Sequence, residues 1–366
     1  MMEKKSISVT QAGKLCTIII LANKISLLPA LLYEGAKSDG FFVALMLFAI
    51  ELMVLGVFFL LKNKYPEASF KEILEKHLGK VFSKVIFIVL MAFFLFKLLL
   101  SYSVGYIYIK QHVYQGEFAL FALICFIPVI NHAVIKGLRV FSRTIELYYP
   151  VICVGIIICL AVSLAGGINI PLFFTSEPSS FFMTLFKHIF SFGDYLFLFI
   201  IMDRIEMKSG EEKKLFKFVA LGIFLVLAIL FMFYSLYQIT AFMHNNALAD
   251  ITVSSTQFNA VGRLDIFAMV TRMFLSFFEM TIFHYAFSEA FCNVFTKLSR
   301  TYSVVVFDVI FAIVYFVLVG RFENMITYTQ GWLSYLGLVT NYLIPLMLLF
   351  IALPYKKKRR VYEKTF

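Results

Sequence analysis

Apolar runs of roughly twenty residues recur along the whole 366-residue chain, separated only by short polar stretches. A helix rises about 1.5 Å per residue, so ~20 apolar residues match the ~30 Å hydrocarbon core of a bilayer. A soluble catalytic domain has no contiguous room to fold between these runs. The expected fold is therefore all-α, a single polytopic integral membrane domain. Composition agrees: 61% of residues are apolar and mean hydropathy is +0.88, far above the balance of soluble chains.

Ten segments meet the length, with approximate limits 15–33, 41–61, 82–109, 118–135, 145–165, 182–202, 215–242, 264–295, 302–320 and 332–354. Cytoplasmic loops carry an excess of Lys and Arg. With the N-terminus inside, 25 of the 33 basic residues fall on the cytoplasmic side and four outside, namely Lys37, Lys110, Arg263 and Arg321. Lys24, Lys97, Lys187 and Arg272 lie within or at the edge of apolar segments. Shifting the topology by one helix inverts the contrast, so ten transmembrane helices with both termini cytoplasmic are expected. The same loop bias explains the net charge of +11 without nucleic acid. Ser69-Phe70-Lys71-Glu72 is a capping-box pattern opening a short amphipathic helix that ends at Leu78-Gly79. The KKKRR after Pro354 fixes the orientation of the last helix or touches anionic membrane lipid.

The segments divide into two halves of five, about 7–165 and 182–354, with a basic cytoplasmic tail at 355–366. Five helices followed by five places the halves in opposite orientations, the layout of an inverted repeat. In each half the first segment is polar at its centre: Asn23-Lys24 in one, Ser191-Phe192-Gly193-Asp194 in the other. Both are expected to be broken helices whose exposed backbone groups meet at the midplane and bind substrate or ions. Pro29 removes the hydrogen bond to the Ile25 carbonyl and helps open the first break.

An isolated charge near the bilayer centre costs on the order of 3 kcal/mol on insertion scales, so Lys24 needs a reason. It neutralises a ligand carboxylate, occupies a cation site so that protonation replaces sodium, or snorkels or pairs with a neighbour. Its neighbours Ala22, Asn23 and Ser26 give little reason to continue a lipid-facing helix. Gly193 tolerates unusual backbone geometry and Asp194 is a mid-membrane carboxylate; the alternative is a packing glycine beside an interfacial aspartate. On the third segment Lys97 and Ser101 make an i, i+4 patch, with Tyr102 lining the same cavity. On the eighth, Arg272, Ser276 and Glu279 at i, i+4 and i+7 share one face, as coupling or gating groups or as a structural Arg272–Glu279 pair. Glu51, His284, Glu289 and Asp308 are lesser candidates for proton handling, each alternatively a packing or interface residue.

No phosphate loop, HExxH, GxSxG or metal-spaced Cys or His cluster is present, so no enzyme activity, cofactor or metal is expected. The five cysteines lie in or beside apolar runs and suit packing. The first apolar run lacks a cleavage pattern and is expected to stay as a helix. Loop 243–262, with its HNN and SSTQFN patches, is a lid or a docking surface.

Several stretches together resemble the B subunits of bacterial spore germinant receptors, a branch of the amino acid, polyamine and cation (APC) transporter superfamily. They are Ile7-Ser8-Val9-Thr10-Gln11 with the later Pro29, Lys64-Tyr65-Pro66 with Leu78-Gly79-Lys80, and Gly137-Leu138-Arg139 with Ser142-Arg143 and Glu146. Phe190-Ser191-Phe192-Gly193 and Gly262-Arg263-Leu264-Asp265 complete the series. Where the superfamily usually has glycine in the first break, this chain reads Ala22-Asn23-Lys24-Ile25-Ser26. The resemblance implies a nutrient sensor of the spore inner membrane with the ten-helix, five-plus-five transporter fold. It also implies A and lipoprotein C subunits as partners and ion release on ligand binding. The expected ligand is a small germinant, an amino acid, held by Ala22, Asn23, Lys24, Ser26, Ser191, Phe192, Gly193 and Asp194, with Lys97, Tyr102 and Glu279 behind them. A proton-coupled amino acid permease is the alternative, and a ligand-independent scaffold or ion-conducting subunit a third class.

Overall fold

The structure, a computed structural model, describes residues 6–113, 118–165, 167–208, 210–253, 265–317 and 325–353. The Gly262-Arg263-Leu264 stretch, the SSTQFN patch and the basic tail lie outside the described residues.

The chain is almost entirely helical. A short strand β1 (Ile7–Ser8) leads into α1 (Val9–Lys24), followed by α2 (Leu28–Ala36) and α3 (Gly40–Lys64). Next come α4 (Phe70–Tyr108), α5 (Phe118–Lys136), α6 (Leu138–Ala165), α7 (Pro178–Lys187) and α8 (Leu196–Ile200). A second strand β2 (Ile205–Glu206) precedes α9 (Glu212–Tyr237), α10 (Ala247–Val253), α11 (Asp265–Val294) and α12 (Arg300–Val317). The chain ends in α13 (Met325–Thr329), α14 (Trp332–Leu338) and α15 (Ile344–Ala352), the last two joined by a π-turn at Val339–Leu343. Among the described residues six helical stretches are long and apolar enough to cross a membrane, consistent with a multi-pass membrane protein.

Helix ends follow local chemistry more than hydropathy. The first helix starts at Val9, well before the apolar run at 15, because Ser8 and Gln11 form a reciprocal capping box: Gln11 N donates to Ser8 Oγ at 3.2 Å and Ser8 N to Gln11 Oε1 at 3.1 Å. β1 pairs in parallel with β2, tying the start of α1 to the chain just after α8. The expected Ser69–Glu72 box opens α4, and Gly79, at φ 81°, kinks it between the short amphipathic stretch and the apolar run. The fifth segment starts at Leu138 instead of about 145.

The first and sixth segments are interrupted, as their polar centres predict. After Lys24 the chain leaves the helix for Ile25–Leu27, then re-enters with Pro29 in the first turn of α2, where its missing N–H costs nothing. The Ile25 carbonyl, which Pro29 cannot satisfy, accepts Leu248 N at 3.1 Å, and the Ser26 carbonyl accepts Ala247 N at 3.0 Å. The start of α10 is thereby laid onto the first break. In the sixth segment α7 ends at Lys187, a 3₁₀ turn covers Ile189–Ser191, and an extended Phe192 and a Gly193 at φ 90° precede α8. The interior packs α4 along α11 and α1 along α9, which brings both breaks against α4 and α11.

Candidate functional site

The two breaks are joined by buried charge. Asp194 receives the ammonium groups of both Lys24 and Lys97, the latter at 2.8 Å. Lys24 Nζ also lies 3.6 Å from Glu51 Oε1 on α3. That same oxygen accepts the backbone N–H groups of Gly193, at 2.7 Å, and Asp194, at 3.1 Å. Side chains of all four charged groups are at most 2% exposed. Two lysines and two carboxylates cancel formally, which is how so dense a cluster is tolerated out of water.

Aromatic faces line the cluster. Lys24 Nζ lies 4.7 Å from the ring centre of Phe192, and Lys97 Nζ lies 5.6 Å from those of Phe93 and Phe190. Gly193 is required where it stands, since a Cβ there would lie 1.9 Å from Asn341 Oδ1, on a backbone other residues rarely adopt. Asn341, in the π-turn before α15, donates to the Ile189 carbonyl at 2.8 Å and so braces the second break.

Beside the cluster, Arg272 on α11 donates through Nη1 to the Ala22 carbonyl at the end of α1. It does so in place of the pairing with Glu279 that the sequence left open. Its Nε and Nη2, and Glu279 Oε1, are buried without a hydrogen-bond partner, as is Asn23 Nδ2. Ser276 lines a cavity of about 20 Å³, enough for one water, with Gly105, Tyr108 and Met280. Ser26 Oγ donates to Asn246 Oδ1 at 2.9 Å, reinforcing the α10 contact.

The structure thus gathers Ala22, Asn23, Lys24, Ser191, Phe192, Gly193, Asp194 and Lys97 around the two breaks, with Arg272, Ser276 and Glu279 along the facing side of α11. Tyr102 differs from expectation. Its ring turns to α12, with centroids 4.8 Å from Phe311 and 6.1 Å from Phe307. It is the residue after Ser101, and the 100° step per residue sends it to a different face. Glu51 and Asn341 are the groups that sequence reasoning undervalued. A lone carboxylate at the middle of an apolar run was their signal in the first case, and a lone amide in the second.

No curated protein matches the chain. The sequence profile of the spore germination protein family, a group of spore permeases, matches residues 6–323 and so most of the length. With the broken helices and the buried charges in place, this match establishes that the chain belongs to the spore germination protein family.

Proposed function

We propose that the chain is the membrane subunit of a spore nutrient receptor, binding a small germinant of the amino acid class between the two breaks, α4 and α11, and thereby triggering germination and ion release. The observation that carries this reading is the Lys24–Asp194–Lys97–Glu51 cluster, which ties both breaks to α3 and α4 in one buried unit. Charges placed so deep mark ligand or ion sites in membrane proteins. A ligand that competes for one member of the cluster changes how the breaks are held, and this is the differential affinity a sensor requires.

In this reading the ten segments form a five-plus-five inverted repeat. Helix packing supports the pairing of the halves. α1 packs on α9 as α7 packs on α3; α1 packs on α6 as the turn at Ile189–Ser191 packs on α14; α3 packs on α15 as α9 packs on α6; and α4 packs on α11. Exchange of the two halves turns each contact into its counterpart. The receptor also includes A and C subunits and sits in the spore inner membrane with both termini cytoplasmic. A second reading, a proton-coupled amino acid transporter, is favoured by Glu279, a buried carboxylate with an unpartnered oxygen.

The test is germination of spores lacking this chain across single amino acids and nucleosides, complemented by wild type or Lys24→Met. Loss of response to one nutrient, restored only by wild type, is expected. Unchanged germination with altered amino acid uptake by growing cells would replace the sensor reading with the transporter.

A further inference from the structure

Backbone amides at a helix break commonly receive a ligand carboxylate. At the second break they are occupied: Gly193 N and Asp194 N both donate to Glu51 Oε1. At the first break the Ile25 N–H donates to the Leu21 carbonyl, while the Ile25 and Ser26 carbonyls are taken by α10. Lys24 and Lys97 are matched by Asp194 and Glu51. Beside the cluster, Glu51 Oε2 on α3 and Asn23 Nδ2 on α1 are left over, and the charged pair of opposite sign left over lies on α11. Arg272 is 2% exposed with Nε and Nη2 unpartnered, and Glu279 is 1% exposed with Oε1 unpartnered.

Resting on the reading of an amino acid site, the geometry points to Arg272 as the anchor of the ligand carboxylate and Glu279 as the anchor of its amino group. Nε and Nη2 form one edge of the guanidinium plane, the edge that takes two carboxylate oxygens side by side. Nη1 is held by the Ala22 carbonyl, which fixes that plane at the first break. Asn23 Nδ2, on the next residue, is a further unpartnered donor. Glu279 lies two turns along the same face of α11, beside the Ser101 hydroxyl, and supplies the opposite charge. Leaving buried charged donors unmade is costly, and a ligand carboxylate removes that cost only in the bound state. The site therefore selects a zwitterion that carries both groups and discriminates against carboxamides and N-acylated analogues. Recognition falls to side chains because Glu51 has taken the amides of the second break.

The experiment measures germination dose–response in spores whose only copy of this chain is wild type, R272Q, R272K or E279Q, with membrane levels checked by immunoblot. The probes are the twenty L-amino acids, their carboxamides and their N-acetyl derivatives. Wild type should prefer the effective amino acid over its carboxamide by about 100-fold. R272Q should bring that ratio near one, and E279Q should instead lower the preference over the N-acetyl derivative. R272K retains the buried charge but not the flat two-donor edge, and should accumulate normally with the acid-to-amide ratio reduced about tenfold. An unchanged ratio in R272K or R272Q at normal levels overturns the assignment, as does a wild type that accepts acid and amide alike. A wild type that answers to no amino acid, yet to another nutrient, overturns the functional reading and this inference with it.

Discussion

Lys24→Met removes one cation from a buried set of four whose formal charges cancel. Taking one partner from a buried pair costs about 3–5 kcal/mol, because the other charge remains in the interior. The structure identifies which charge is stranded. Asp194 keeps Lys97 at 2.8 Å, whereas Glu51 loses its nearby cation and retains only the two backbone N–H groups that it already had. Its Oε2 has no partner to begin with. Adding Glu51→Gln should therefore restore stability, since the amide oxygen still accepts from Gly193 and Asp194 while the stranded charge is gone. We expect Lys24→Met to lose about 3–5 kcal/mol, and the double variant to lie roughly 2–3 kcal/mol above it. Reversible unfolding of the purified protein in mild detergent, titrated with a denaturing detergent, measures all four corners of the cycle. A double variant less stable than Lys24→Met alone would refute the reasoning, because the four groups would then not share one charge balance.

Two further outcomes follow from other parts of the site. Gly193→Ala should destabilise by roughly 1–2 kcal/mol for the left-handed backbone alone, with a further loss for the Cβ placed 1.9 Å from Asn341 Oδ1. Asn341→Ala alone gives up the bond to the Ile189 carbonyl, and measured against that background Gly193→Ala should cost only the first part, read by thermal unfolding. At α10, burial raises the Asp250 carboxyl above the usual aspartate range, opposed by the Asn246 N–H and the His244 and His112 side chains. A raised acid contributes stability that is complete below the unfolded value, about 4, and is lost as pH rises through the folded one. Hydrogen-exchange protection of Ala247 and Leu248, corrected for intrinsic rates, should fall from pH 4 to neutrality, and Asp250→Asn should remove the trend.

The apolar ruler and the polar interruptions made both breaks legible, because a charge or a proline inside a spanning run is expensive wherever it sits. Helix starts were less legible. The start of α1 at Val9 rests on the Ser8–Gln11 box, a signal visible as Ser-x-x-Gln but hidden by the polar residues that precede the apolar run. Lys24, Asp194 and Lys97 were each recognisable as odd, yet their meeting depends on how α1, α4 and the second break cross, and no local pattern encodes that. Glu51 shows the limit most clearly. From sequence it is one carboxylate in an apolar helix; in the fold it accepts the two backbone amides of the second break. Tyr102 was assigned by proximity to Lys97 along the chain, and the helical step turned it to α12.

The end of α11 beyond the site bears on how binding would be felt at a distance. Glu289 accepts both terminal nitrogens of Arg204, at 3.0 and 2.7 Å, and also pairs with Arg300. The two guanidiniums lie 5.7 and 4.8 Å from the ring centre of Tyr285. Arg204 follows α8 and stands beside β2, so this network fastens the second half of the broken sixth segment to the helix that carries Arg272 and Glu279. A shift of α8 against α11 must break a two-pronged, charge-assisted contact, worth about 1–3 kcal/mol when one partner is neutralised. If the network holds the resting arrangement, Glu289→Gln lowers the free energy of the other arrangement relative to it and raises that arrangement's population. Spores carrying it should then respond to about 5–100-fold less germinant. The dose–response curve at normal protein level is the measurement. A curve unchanged in midpoint, or moved to higher concentration, would mean that this contact does not distinguish the two states and that α8 and α11 move as one body.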